Sequence, residues 1–236
     1  MTNFSIIAYH YTNQETLLRF IDTVKFIEDI IIIDGTNCID KSIFQNISSI
    51  NIISIEANTL SEVELIAKNN IKNDWFLSLN TNFIINQELI TEINTLDLIN
   101  PQNTYLAKRE FEFLGKNMKY GSIENGYFSI LKHKKDGKKN KIKLKNNILN
   151  KPLDPIDLYN NSISLKMKAE SNELIISKNN TNFIKFLFYP FAFLMYNYFI
   201  KGGFLNGKKG FILVYFHTFG LIKKYLFVWL NKNNLN

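Results

Sequence analysis

Residues 4–9 (FSIIAY) are apolar at nearly every position, the pattern of a short strand buried on both faces. From Gln14 to Phe26 the apolar residues Leu17, Leu18, Ile21 and Val24 recur at helical spacing. Four consecutive isoleucines then stand between Asp29 and Asp34, a second buried strand that ends in an acid. The same alternation repeats, with a strand over 50–55, a helix over 61–70 and a strand over 75–79. Buried strands alternating with helices predict a parallel α/β sheet. Ligands of such sheets bind beyond the carboxyl ends of the strands. That singles out Asp34, Gly35, Thr36 and Asn37 after the second strand, and Asn80, Thr81 and Asn82 after the fourth.

The pattern changes in the second half. Residues 132–151 carry nine lysines and one acid, broken by Gly137 and several asparagines, and read as a solvated loop or hairpin edge. Residues 152–182 are polar, contain Pro152 and Pro155, show little periodicity and read as a linker or excursion. Two aromatic blocks follow, Phe183–Ile200 and Phe211–Leu230, each near the ~20 apolar residues that span a bilayer. Lys185, Pro190 and Asn197 interrupt the first, and His217, Lys223 and Lys224 the second. Such blocks suit helices lying in a membrane interface; the alternatives are a spanning hairpin, and a soluble core or a protein interface. Gly202, Gly203 and Gly207 supply the turn between them. The expected division is an α/β domain over 1–182 and a membrane-associating helical segment over 183–236.

Composition narrows the chemistry. At 236 residues, 46% hydrophobic and 21% charged, the chain is an ordinary globular one. Its one cysteine, Cys38, excludes a disulfide scaffold or a cysteine-based zinc site, and His10, His133 and His217 are too scattered to suggest a histidine-based one. The N-terminus lacks a basic segment followed by a long apolar run, so a cytoplasmic location is expected. Arg19 and Arg109 are the only arginines among 28 basic residues, and there are 33 asparagines, the bias an AT-rich genome produces. Charge is nevertheless segregated. Residues 1–100 hold 5 basic residues against 13 acids, and residues 101–236 hold 23 against 8. A basic half rich in aromatics suits an anionic surface, either phospholipid or nucleic acid. Phospholipid is the expected partner; the lysines of 132–151 carry no nucleic-acid-binding motif.

At this point the residues resemble a known family, the family 2 glycosyltransferases of the lipopolysaccharide-core type. The segment from Phe199 to Leu213, with Gly202, Gly203, Gly207 and Gly210 between aromatics, is similar to that family's Y-F-x-x-G-G-F-x-D-G-x-x-G-F. Asn13, Gln14 and Glu15 stand where the family has N-E-E. Val24, Lys25 and the run Glu28–Asp34 follow its V-K-W-x-D-E-I-V-V-V-D. Asp74–Leu79 resembles the strand before the metal motif, and Arg109 with Phe113, Leu114, Gly115 and Lys116 resembles R-x-x-x-F-L-G-[KR]. The resemblance covers most of the chain except about 133–182. It implies a GT-A fold, with a nucleotide-sugar-binding α/β half joined to an acceptor half. It also implies transfer of a hexose, with inversion, from a nucleotide sugar of UDP type to a lipopolysaccharide-core or other lipid-linked acceptor. The place is the cytoplasmic membrane face, where the protein is expected to be peripherally bound.

Within that resemblance Asp34, Gly35 and Thr36 are expected to meet the donor nucleoside, and Arg109 a phosphate. The family's D-x-D, which holds the diphosphate through Mg²⁺ or Mn²⁺, stands here as Asn80, Thr81 and Asn82, followed by Phe83. Hard divalent cations want anionic oxygens. Two amides therefore predict weak or absent metal dependence, with lysines in place of the ion. The same amides also fit a plain turn. They support a second reading, in which the chain is a catalytically inactive relative acting as a membrane-associated scaffold or partner. Glu110, Glu112 and Glu124 are the acids nearest an acceptor site, and no single one stands out as the base. His10, after the first strand, reads mainly as structural, and Cys38 as a loop thiol.

Overall fold

The computed structural model describes residues 3–11, 13–35, 39–44, 47–54, 60–121, 123–135, 140–152, 156–177 and 183–233. The chain forms two compact units. One comprises residues 1–56, 63–112 and 124–153, the other 57–62, 113–123 and 154–236.

In the first unit, β1 (Phe4–His10), α1 (Gln14–Val24), β2 (Ile30–Asp34), β3 (Ile50–Ser54), α2 (Leu60–Asn70) and β4 (Trp75–Asn80) follow the alternation read from the sequence. Next come β5 (Phe83–Ile84), α3 (Gln87–Asn94) and β6 (Asn103–Phe113). β7 (Lys116–Asn117) lies in the second unit, and β8 (Gly126–His133) and β9 (Asn140–Asn150) return to the first. Among the described residues the strand order of the first unit is β3-β2-β1-β4-β8-β6-β9-β5. β1 pairs in parallel with β2 on one side and β4 on the other, and β8 is antiparallel to β4. The order therefore reverses at β1, with β2 and β3 to one side and β4 to the other.

Alternate residues explain the runs of isoleucine. Ile6, Ile30, Ile32 and Leu77 join a core with Leu17 and Phe20 of α1 and Leu89 and Ile93 of α3. Ile7, Ile31, Ile33 and Phe76 are buried on the opposite face. There the Lys68 ammonium of α2 lies 5.6 Å from the Phe76 ring centre. At the amino ends of the strands, Asp29 accepts hydrogen bonds from the Ser5 hydroxyl and, at 2.7 Å, the Lys72 N–H. The lysine-rich stretch read as a loop or hairpin edge is mostly strand: β9 runs parallel to β6 and meets only the two-residue β5 beyond it.

The second unit corrects the linker expected over 152–182, because residues 156–176 form a 21-residue helix, α4 (Ile156–Ile176). Both aromatic blocks are helical. α5 (Phe183–Met195) contains Pro190 and continues as a π turn over Tyr196–Ile200, and α6 (Lys208–Lys232) follows a short 3₁₀ turn at Gly203–Asn206. α6 packs on α4: Gly220 lies so close that a Cβ there would meet Ile163 at 2.8 Å and Met167 at 3.1 Å. The α/β class with aromatic C-terminal helices is thus the one expected from the sequence.

The glycine-rich segment is a packing device. A Cβ on Gly203 would sit 2.6 Å from the Asn197 carbonyl oxygen, and one on Gly210 would sit 2.3 Å from the Gly203 carbonyl oxygen. Asn206, between them, donates to the Tyr120 carbonyl at 2.8 Å, and its own carbonyl accepts from the Lys116 ammonium at 2.8 Å. Alanine in a helix interior is ordinarily better than glycine by about 1 kcal/mol. Gly210→Ala should instead destabilise the protein by about 1–3 kcal/mol, because the nearest atom it meets is the backbone oxygen of Gly203. Urea denaturation measures this, and a raised midpoint would show that the close approach imposes no constraint.

Candidate functional site

The carboxyl ends of β1, β2 and β4 converge where the strand order reverses, the usual ligand position in an open α/β sheet. Register places His10 beside Asp34 and Tyr9 beside Asn80. The chain leaving each strand is held to β1, since the Gly35 N–H donates to the His10 carbonyl at 3.1 Å and the Thr81 N–H to the Tyr9 carbonyl at 3.0 Å. Asp34 and His10 are each 1% exposed. The Asp34 carboxylate accepts from the Ile39 N–H at 3.3 Å, and His10 Nδ1 lies 3.0 Å from Thr81 Oγ1. The Tyr11 ring rests against Gly35, where a Cβ would fall 2.3 Å from a ring carbon, so a larger residue after Asp34 would have to displace the ring. Thr36 and Cys38 lie outside the described residues.

Burial sets the charges here. It lowers the His10 imidazole to about 4, although the Asp34 carboxylate pulls the other way. It also raises the phenols of Tyr9 and Tyr11. At neutral pH the His10 imidazole is therefore neutral and brings no positive charge to the cluster.

Asn80 and Asn82 differ from one another. The Asn80 side-chain oxygen accepts the Asn82 N–H at 3.1 Å, forming an Asx turn. The Asn82 side-chain oxygen is buried with no hydrogen-bond partner among the described residues. Neither is an anionic donor, and no group of three His, Cys, Asp or Glu that could hold a metal occurs among the described residues. The pair does not fit a hard divalent cation.

Beyond Asn82 the chain enters β5, and a second polar group gathers. Arg109 forms a 2.6 Å ion pair with Glu124, and its guanidinium carbon lies 5.3 Å from the Phe128 ring centre. Phe128 stacks on Phe83 at 5.2 Å, and Asn150 pairs with Phe83 across the β5–β9 ladder. Glu124 adopts a left-handed backbone at φ +57°, uncommon for a non-glycine residue. The other two candidate acids are also held. Glu110 accepts from Asn147 at 2.8 Å, and Glu112 pairs with Lys151 at 2.9 Å. Glu110 also lines a cavity of about 400 Å³ with Asn86, Lys145 and Leu149, which shares no residue with the strand-end cluster.

Two residues at this end of the sheet escaped the sequence reading. Tyr11 contacts Gly35 only after folding. Arg19 donates to the Lys151 carbonyl at 2.6 Å and to the Asn82 carbonyl at 3.4 Å, fastening α1 to the turn after β4. Its signal was available, as one of two arginines in a chain that otherwise uses lysine.

No family model and no curated protein matches the chain. Solved structures do. The crystal structure of S. aureus TarS 1–349 is 9% identical, with 98% of this chain and 92% of that chain covered and a TM-score of 0.48. The same protein in complex with UDP-GlcNAc gives 8% identity, the same coverage and 0.49. GalNAc-T7 with UDP, GalNAc and Mn²⁺ is 12% identical over 47% of this chain and 24% of that one, at 0.39. At such identities no residue assignment passes from them to this chain.

His10 gives the site a pH signature. The unfolded chain, with an imidazole near 6.5, takes up its proton before the folded chain at about 4 does. Stability should therefore fall as pH drops through that window, by up to about 3 kcal/mol. Urea denaturation across this range should show a flatter dependence for His10→Asn, and an unchanged slope would mean that His10 is not held neutral by burial.

Proposed function

We propose that the chain is a GT-A-type glycosyltransferase that transfers one hexose from a UDP-type nucleotide sugar to a lipopolysaccharide-core or other lipid-linked acceptor. It works at the cytoplasmic face of the inner membrane, where it is peripherally bound. The observation that carries this reading is the buried Asp34 at the reversal point of the sheet, flanked by His10, by Gly35 under Tyr11, and by the Asn80–Asn82 turn. A carboxylate there can accept hydrogen bonds from a uracil or ribose, and in this reading the turn after β4 faces the diphosphate.

The reaction is a direct displacement. The acceptor hydroxyl oxygen attacks the anomeric carbon, the bond from that carbon to the diphosphate oxygen breaks, and the hydroxyl proton passes to a base. The departing diphosphate needs positive charge nearby. Amides at positions 80 and 82 do not fit a divalent ion, so that charge falls to lysine side chains. Glu112 and Glu124 are each engaged by a basic side chain, whereas the partner of Glu110 is an amide.

The amide pair also favours the second reading, an inactive relative that keeps the fold and serves as a membrane-bound scaffold or partner. Calorimetric titration of the full chain with UDP and UDP-sugars, with and without Mn²⁺, separates the two. Transferase function requires micromolar binding of one sugar nucleotide, indifferent to Mn²⁺, and a loss of roughly 10- to 100-fold in Asp34→Asn, the scale of a hydrogen bond to a charged group. In the double variant Asn80→Asp, Asn82→Asp the same titration should become Mn²⁺-dependent. Folded protein that binds no donor would leave the scaffold reading.

A further inference from the structure

The outer face of the second unit is aromatic where a water-exposed face would be polar. On α6, Phe211, Tyr215, Phe219 and Phe227 are exposed at spacings of four and eight residues, forming one stripe. Gly210, Leu213, Val214, His217 and Gly220 form the opposite, buried face. Below the stripe, the turn between α5 and α6 exposes Phe199 and Ile200, the latter by 74%, together with Phe204 and Leu205. An apolar patch this continuous on a folded surface is a contact site.

Charge indicates what it contacts. From Phe183 to Asn236 there are seven lysines and no acid. Two of these lysines lie along the exposed rings, Lys201 at 5.4 Å from the Tyr196 ring centre and Lys223 at 4.8 Å from that of Phe219. Aromatic rings beside lysine ammoniums match the level of a bilayer where acyl chains meet anionic headgroups.

Length and composition alone would let α6 cross a membrane, and it is the one helix among the described residues of which this is true. Its side contacts argue otherwise. Along its length it is tied to α4: His217 lies 3.1 Å from the Tyr159 hydroxyl, Lys223 donates to Ser164 at 3.1 Å, and Lys224 pairs with Glu170 at 2.7 Å. α4 exposes Asn161, Lys166 and Lys168, which have no place in hydrocarbon.

We propose that the second unit docks on an anionic phospholipid bilayer from one side, with the turn between α5 and α6 and the outer stripe of α6 in the headgroup–acyl boundary and α6 parallel to the surface. This rests on the membrane-bound part of the function proposed above and specifies its geometry. The test is flotation of the full chain with phosphatidylcholine vesicles, with and without phosphatidylglycerol. Docking predicts binding that favours the anionic vesicles and weakens with salt. It also predicts binding about tenfold weaker in the triple variant Phe199→Ser, Ile200→Ser, Phe204→Ser, with an unchanged circular dichroism spectrum. In a Cys38→Ser background, the single variants Lys208→Cys and Lys232→Cys should both react with a membrane-impermeant maleimide added outside the vesicles. Protection of either end would overturn the in-plane geometry. Absence of flotation by folded protein, or a concentration-dependent dimer that the triple variant abolishes while vesicles go unbound, would overturn the lipid as occupant. Donor titration without vesicles is independent of all these outcomes, so the transferase reading can fail while the docking face stands, and the reverse.

Discussion

Burying β1 and β2 on both faces dictates where polar chemistry can exist in the first unit. Every residue from Ile30 to Ile33 is at most 1% exposed, so polar groups are displaced to the two ends of the strands. At the amino ends Ser5, Asp29 and the loop around Lys72 satisfy one another and tie three strands together. At the carboxyl ends Asp34, His10 and Thr81 gather, and the same apolar interior that places the imidazole also discharges it. The position and the electrical character of the candidate site follow from one constraint.

At positions 80 and 82 amides set the character of the turn after β4. The Asn80 side chain shapes it by accepting the Asn82 N–H, and neither amide supplies the anion that a hard cation needs. The arginine expected to meet a phosphate is half-buried against Glu124 and stacked near Phe128, which fixes the β6–β8 ladder beside the turn. The strongest sequence resemblance, the four-glycine segment, likewise turns out to govern how backbones approach one another in the second unit.

What could be read from the sequence followed the physics of burial. Strands of consecutive isoleucine announce themselves because two apolar faces leave no polar position, and the first four strands were placed within a residue or two. α4 escaped because it offers its partner a stripe one residue wide, Tyr159, Ile163 and Met167, set among asparagines and lysines after two prolines. β9 hid behind composition, although Lys141, Lys143 and Lys145 alternate with Ile142 and Leu144 at strand period. Asp34, Asn80, Thr81 and Asn82 could be nominated because strand ends are predictable. The bond between His10 and Thr81 could not, since it spans 71 residues of chain.

The order in which the second unit is made has its own consequence. The side of α4 bearing Ile163 and Met167 is covered by Gly220 of α6, so during synthesis that side stays uncovered until α6 has emerged. The sheet of the first unit, by contrast, has all its strands once Asn150 is out. Folding from the N-terminus therefore leaves a finished sheet trailing an unpartnered aromatic helix, α5, for the time taken to make about forty further residues. Whatever meets the nascent chain in that interval, chaperone or membrane, meets α5 before α6 can pack beside it.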